Sequence, residues 1–148
     1  MMLSMEKDKQ IETVRNGLRH FNRKAGVLKS DPYGIGLSLS HCSALIDIER
    51  HGTIKPNELT TLLLLDKSTV SRLLSNLVAK DLIRTSNDTD DGRGKVLTLT
   101  SKGKKLVEVI NEVSNDSVLS VFKNLTPQEK QTVVTAFQLI SKAIDRQD

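Results

Sequence analysis

The chain has one cysteine, Cys42, no tryptophan and only 3% aromatic residues among its 148. A single cysteine excludes an internal disulfide framework and suits a reducing compartment. So few aromatic rings leave little with which to build a stacking platform for single-stranded nucleic acid. Long apolar runs are missing as well. The longest stretch of leucines, Leu62 to Leu65, falls far short of the ~20 residues a membrane span needs. The opening M-M-L-S-M-E-K-D-K-Q turns charged at once and lacks a signal-peptide core, so a cytoplasmic protein without membrane association is expected. There is no glycine-rich phosphate loop, no plausible metal cluster and no nucleophile with a base at a recognisable spacing. Neither an enzyme nor a cofactor is expected.

What is present is an ordinary globular composition, 37% hydrophobic and 27% charged, long enough for one domain or two small units sharing a core. Net charge is +4, and the bias is local. Between Arg84 and Lys105 lie six basic residues (Arg84, Arg93, Lys95, Lys102, Lys104, Lys105) against three acidic ones (Asp88, Asp90, Asp91). A basic bias points to nucleic acid only when it is concentrated in this way.

Periodicity supplies the elements. Ile11, Val14, Leu18, Phe21, Ala25 and Leu28 repeat at 3-4-3-4-3, a heptad seam that predicts a first helix from Glu6 to about Lys29. Asp31, Pro32 and Gly34 to Gly36 break it. Ser38 is placed to cap a second helix running to Arg50 and ending at His51-Gly52. Lys55-Pro56 opens a third, with proline where its missing N–H costs nothing. Asp66 caps a fourth, running to about Lys80. Leu82 to Thr85 and Val96 to Thr100 then read as two short strands around the polar run S-N-D-T-D-D-G-R-G, with Leu97 and Leu99 alternating against Thr98 and Thr100. Thr100 or Ser101 caps a long fifth helix reaching about Leu125. Thr126-Pro127-Gln128-Glu129 supplies the cap, the proline and the Glu of a capping box for a last helix bearing Val133, Phe137, Ile140 and Ile144. Helices that expose such seams need a partner, so a homodimer built from the two ends of the chain is expected.

The stretch D-K-S-T-V-S-R-L-L-S-N-L, Asp66 to Leu77, carries the functional signal. At 100° per residue, Val70, Leu73, Leu74 and Leu77 share one side, and Ser68, Ser71, Arg72 and Ser75 the other. Surface helices ordinarily carry long charged side chains on the outer face, whereas this face is mostly small hydroxyls around one arginine. An ordinary serine-rich surface helix would look the same. After a short helix and a turn, however, the pattern fits the second helix of a helix-turn-helix, which lies in the major groove of DNA. Small side chains let its backbone approach the bases, Ser and Thr donate or accept, and Arg72 is able to bond a guanine through two donors. The helix N-terminus suits phosphate. The hairpin that follows, with Arg93 between Gly92 and Gly94 and with Lys95, has the make-up of a wing that enters an A·T-narrowed minor groove. Asp91 is close enough in sequence to hold the Arg93 guanidinium. Taken alone, D-D-G-R-G is simply a solvated charged turn.

L-S-L-S-H-C-S-A-L-I-D-I-E-R-H-G, then K-P-N-E-L-T-T-L-L-L-L-D-K-S-T-V-S-R-L-L-S-N-L-V-A-K-D-L-I, then D-D-G-R-G-K-V-L-T-L-T-S-K-G resemble a MarR-type transcriptional regulator over Leu37 to Gly103. The helix layout on either side resembles the family too. The resemblance implies a mainly α fold (α+β), a winged helix-turn-helix with a small β-hairpin wing, flanked by N- and C-terminal dimerisation helices. Residues 1–36 would carry the first dimerisation helix, 37–100 the DNA-binding domain and 101–148 the remaining dimerisation helices. It implies a homodimer on pseudo-palindromic double-stranded DNA, acting as a repressor and often released by a small-molecule effector or an oxidant. By position, the resemblance would make Ser68, Thr69, Ser71 and Arg72 recognition-helix contacts and Arg93 the wing-tip arginine; with Lys67 and Ser75 of the same helix and Lys95 of the hairpin, eight DNA-binding residues are expected. Two positions depart from the family pattern: Leu64 and Asp81 stand where glycines are usual, and a left-handed leucine would be strained. A winged-helix dimer that binds another protein without sequence-specific DNA binding is the alternative.

Other residues invite weaker readings. Cys42 has no resolving cysteine and no flanking cation, so a small buried hydrophobe is expected before a redox sensor. His20, His41 and His51 do not share a helix face, and no metal site is expected. His51 before Gly52 suits a helix C-terminal cation. Arg15, Arg19 and Arg23 recur every fourth residue, either as an anion pocket or as the solvated flank of the first seam.

Overall fold

The computed structural model describes residues 2–88 and 94–146, with side chains from residue 6 onward. Among the described residues, six helices and one hairpin follow each other as α1 (Met2–Lys24), α2 (Leu39–His51), α3 (Pro56–Leu63), α4 (Lys67–Ala79), β1 (Ile83–Asn87), β2 (Lys95–Leu99), α5 (Ser101–Phe122) and α6 (Pro127–Ile144). This is the mainly α winged helix-turn-helix layout that the sequence implied. The chain divides into two compact units, Met1–Ile110 and Asn111–Asp148, with the boundary inside α5.

In the first unit, α1 ends five residues before the expected Lys29. Gly26 takes φ 73°, its N–H donates to the Arg23 carbonyl at 3.3 Å, and the Val27 N–H reaches the Asn22 carbonyl at 3.1 Å. That paired geometry closes a helix on a left-handed glycine, so the stop comes before the Asp31-Pro32 break. Asp31 instead organises the next bend, its carboxylate accepting from the N–H groups of Ile35 (2.9 Å) and Gly36 (2.8 Å). Those backbone bonds, Gly36 first, hold its pKa below the usual carboxylate value. Ser38 sits at the cap position of α2 but makes no capping bond; its Oγ pairs with His41 Nδ1 at 2.7 Å.

The core collects Leu45 and Ile48 of α2, Leu59 of α3, Leu73 and Leu77 of α4, Ile83 and Leu97 of the hairpin, and Val107 and Ile110 of α5. Each comes from the apolar stripe its helix or strand presents. Burying a side chain of this size contributes about 1.5–3 kcal/mol, so the stripes, rather than local propensity, hold the unit together.

The hairpin differs from expectation in two ways. β1 runs on through Ser86 and Asn87, assigned above to the loop, because these residues pair with Val96 and Lys95 in the antiparallel ladder. In β2 both Val96 and Leu97 are buried while Leu99 is half-buried, so the expected alternation fails. Consecutive strand residues face opposite ways, so this strand is covered on both faces. Ile54, between α2 and α3, adds a one-residue bridge to Leu97, with N–H···O bonds of 3.2 and 2.8 Å.

In the second unit, Thr126 and Glu129 form the expected capping box, with Thr126 N–H donating to Glu129 Oε2 at 2.7 Å. α5 ends at Phe122 rather than near Leu125, in a tightened turn where Leu125 N–H donates to the Phe122 carbonyl. None of the described residues of this unit is buried. Phe137, Leu139, Ile140 and Ile144 stand 46–62% exposed. On α1, in the first unit, Ile11, Val14, Leu18 and Phe21 are likewise exposed. No helix among the described residues is long and apolar enough to cross a membrane.

Candidate nucleic-acid interface

α4 is fixed by its inner side. Val70, Leu73 and Leu77 are buried, whereas Ser68, Ser71, Arg72 and Ser75 are exposed and Thr69 is half-buried. The turn that delivers the helix passes through Leu64 in the left-handed region, φ 52° and ψ 36°, with its side chain 89% exposed. A left-handed L-residue costs roughly 1–2 kcal/mol, and the exposed side chain recovers little of that by burial. Asp81, after α4, is left-handed as well, at φ 56°. Both backbone sites therefore keep the geometry that glycine favours although neither holds a glycine.

The start of α4 is organised by one carboxylate. Asp66 Oδ1 accepts the Thr69 N–H at 2.9 Å, capping the helix, and also the Ser68 hydroxyl at 2.6 Å. Its Oδ2 accepts the Thr69 hydroxyl at 2.6 Å. The Ser68 and Thr69 hydroxyls and the Thr69 N–H hold the Asp66 pKa far below the usual carboxylate range. Arg72 Nη2 approaches Thr69 Oγ1 at 3.4 Å, and the Ser75 hydroxyl donates to the Ser71 carbonyl one turn back at 2.9 Å. The serines and threonine are thus less free than the sequence suggested: three of these hydroxyl protons are already engaged within the helix and its cap.

The far end of α4 is clamped to the start of α5. The Thr100 hydroxyl donates to the Asp81 carbonyl at 2.7 Å and accepts the Gly103 N–H at 3.0 Å, so Thr100 rather than Ser101 caps α5. Lys102 Nζ donates to the Lys80 carbonyl at 2.9 Å. A methyl group at Gly103 would overlap the Leu82 carbonyl oxygen, so only glycine allows this approach.

The hairpin is tied to α3. Lys55 Nζ lies 3.0 Å from Asp88 Oδ2, and the Asp88 N–H donates to the Gly94 carbonyl at 2.9 Å. Between α3, α4 and the hairpin runs an open groove of about 1020 Å³, onto which Lys67, Ser71, Ser75 and Lys95 all face. Four of the eight expected contact residues therefore meet at one feature. Ser68, Thr69 and Arg72 stand on the outer face of the same helix. Arg93, and the Asp91 expected to hold it, lie outside the described residues.

Sequence reasoning treated Asp66 only as a cap. The signal for its second role was the Ser and Thr two and three residues later, within reach of one carboxylate. The Lys55–Asp88 pair, 33 residues apart in the chain, left no local pattern.

Cys42 is fully buried, and burial, with a smaller contribution from the Asp31 charge, pushes its thiol up to about 11. A thiol so held is a poor nucleophile at neutral pH. His51 Nδ1 pairs with the Asp47 carbonyl at 2.8 Å, inside its own helix end. Burial lowers the pKa of His41, as does the Lys80 charge. Among the described residues, no group of three or more His, Cys, Asp or Glu side chains is placed to hold a metal ion.

Comparison with known proteins agrees with this geometry. The MarR family model matches residues 35–94. An uncharacterized HTH-type transcriptional regulator, YxaD of Bacillus subtilis, is 29% identical over 94% of this chain and 98% of its own. A mutant MarR from E. coli, crystallised in complex with operator DNA, superposes with a TM-score of 0.68 at 24% identity, covering 88% of this chain and 95% of that one. Bordetella bronchiseptica BpsR, studied for regulation of its DNA binding by 6-hydroxynicotinic acid, superposes at 0.67, with 24% identity over 87% of this chain and 98% of its own. At such identities the two structures speak for the fold.

Proposed function

We propose that the chain is a transcriptional regulator of the MarR family, acting as a homodimeric repressor on pseudo-palindromic double-stranded DNA. Residues 37–100 form the DNA-binding domain in this reading, and residues 1–36 and 101–148 supply the dimer interface. Each protomer sets α4 in a major groove through Lys67, Ser68, Thr69, Ser71, Arg72 and Ser75, with Lys95 on the flanking hairpin. Arg93 enters the adjacent minor groove.

The observation that carries the reading is the outer face of α4: short hydroxyl side chains around Arg72, exposed and held in place at both ends of the helix. Solvation alone does not call for a helix with so few long charged groups outward. A groove does, because short side chains let the backbone close on the base edges. The operator complex of the E. coli relative supports the same use of the fold. Release by a small molecule is supported by the BpsR relative, and the effector of this chain would be a separate ligand.

The test is a gel shift with the DNA immediately upstream of the chain's own gene, since such regulators often control themselves. A discrete complex that survives excess non-specific competitor is expected. Arg93→Ala should bind more weakly, with a salt slope shallower by about one. Absence of any sequence-dependent complex would favour a winged-helix dimer that binds another protein.

A further inference from the structure

The face that α4 offers has a hydrogen-bond polarity, and it follows from Asp66. An ionised carboxylate only accepts hydrogen bonds, so the 2.6 Å contacts to Ser68 Oγ and Thr69 Oγ1 must each hold the hydroxyl proton. A hydroxyl has one proton. What remains for a ligand on Ser68 and Thr69 is lone pairs. Arg72 Nη2 already approaches the Thr69 oxygen at 3.4 Å, which leaves Ser68 Oγ as the more available acceptor.

That polarity rules out several partners. Phosphate oxygens only accept and would meet lone pairs and a nearby negative charge. In the major groove, N7 and O6 of guanine, N7 of adenine and O4 of thymine accept too. The donors there are the exocyclic amines, N6 of adenine and N4 of cytosine.

We propose that Asp66 is a specificity-determining residue: it turns Ser68 and Thr69 into acceptors, so that the start of α4 selects an adenine N6 or cytosine N4 amine. The inference rests on the DNA-binding reading above and deepens it. It also gives a distance. Ser68 and Arg72 are four residues apart on one helix face, about 5–6 Å. The selected amine therefore lies within two base-pair steps, at about 3.4 Å each, of the guanine that Arg72 reads.

The experiment uses the full chain and duplexes that the wild type selects from a random-sequence pool. Each adenine in turn is replaced by purine and each cytosine by 2-pyrimidinone, which lack the exocyclic amine. Wild type should lose roughly threefold to tenfold in affinity at one base pair per half-site, the size of one hydrogen bond. Ser68→Ala should show no such loss, and its ratio to wild type cancels any change in the duplex itself. Asp66→Gly keeps a tolerated helix cap, so its melting temperature should stay close to wild type. It offers no side-chain acceptor, which frees the hydroxyl protons of both Ser68 and Thr69, and the amine penalty should fall below twofold. Retention of the full penalty in Asp66→Gly overturns the role of Asp66. If no amine deletion matters to the wild type while Arg72→Ala still weakens binding to the same duplex, the inference fails and the DNA-binding reading stands. If the wild type enriches no sequence at all, both fail.

Discussion

At the scale of single residues, Leu64 is the clearest conflict between local preference and fold. It holds φ 52° with its side chain almost fully in solvent. Leu64→Gly should relieve the left-handed strain of about 1–2 kcal/mol, less the extra backbone entropy of glycine at about 0.5–1 kcal/mol. A net gain of about 0.5–1 kcal/mol in a urea unfolding curve is expected, and a loss would mean that the leucine side chain contributes packing. The sequence pointed to this position only through the resemblance to a family with glycine there, since four consecutive leucines give no local sign of a left-handed turn. Cys42 was legible as a buried hydrophobe because it has neither a resolving cysteine nor a flanking lysine or arginine. The engagement of Ser68 and Thr69 by Asp66 was not, because hydroxyl orientation is decided by where acceptors sit in space.

At the scale of elements, periodicity together with cap and breaker residues located the described helices, and Asp66, Thr126 and Glu129 made the capping bonds that their residue types predict. Ends that depend on a backbone turn were harder. Ala25 and Leu28 continue the apolar spacing past Gly26, so the seam hid the stop in α1. β1 extends through polar Ser86 and Asn87 because its partner strand supplies hydrogen bonds, which strand preference does not report. Ile54 joins the sheet through a single residue, too short for any period to show. The junction of α4, the hairpin and α5 rests on Thr100, Lys102 and Gly103. Gly103→Ala should destabilise the protein by about 1–3 kcal/mol through overpacking against the Leu82 carbonyl. Thermal unfolding checks this, and an unchanged midpoint would show that α5 shifts freely away from α4.

At the scale of the whole molecule, the chain leaves apolar rows uncovered on α1 and on α6, and its second unit buries none of its described side chains. A second copy is the cover that the homodimer reading supplies. Light scattering should give twice the 16.4 kDa of one chain, and Leu18→Glu with Phe137→Glu should return the mass to that of one chain. A wild type of single-chain mass would remove the dimer from the account. The central claim, that the outer face of α4 reads base edges, is tested most directly by fluorescence anisotropy. Wild type and Arg72→Ala are titrated against a selected duplex and against its single-base variants at fixed salt. The account predicts that Arg72→Ala loses about 1–3 kcal/mol on the selected duplex and no longer discriminates at one base pair per half-site. An equal loss on matched and mismatched duplexes would contradict it, leaving Arg72 as a phosphate contact.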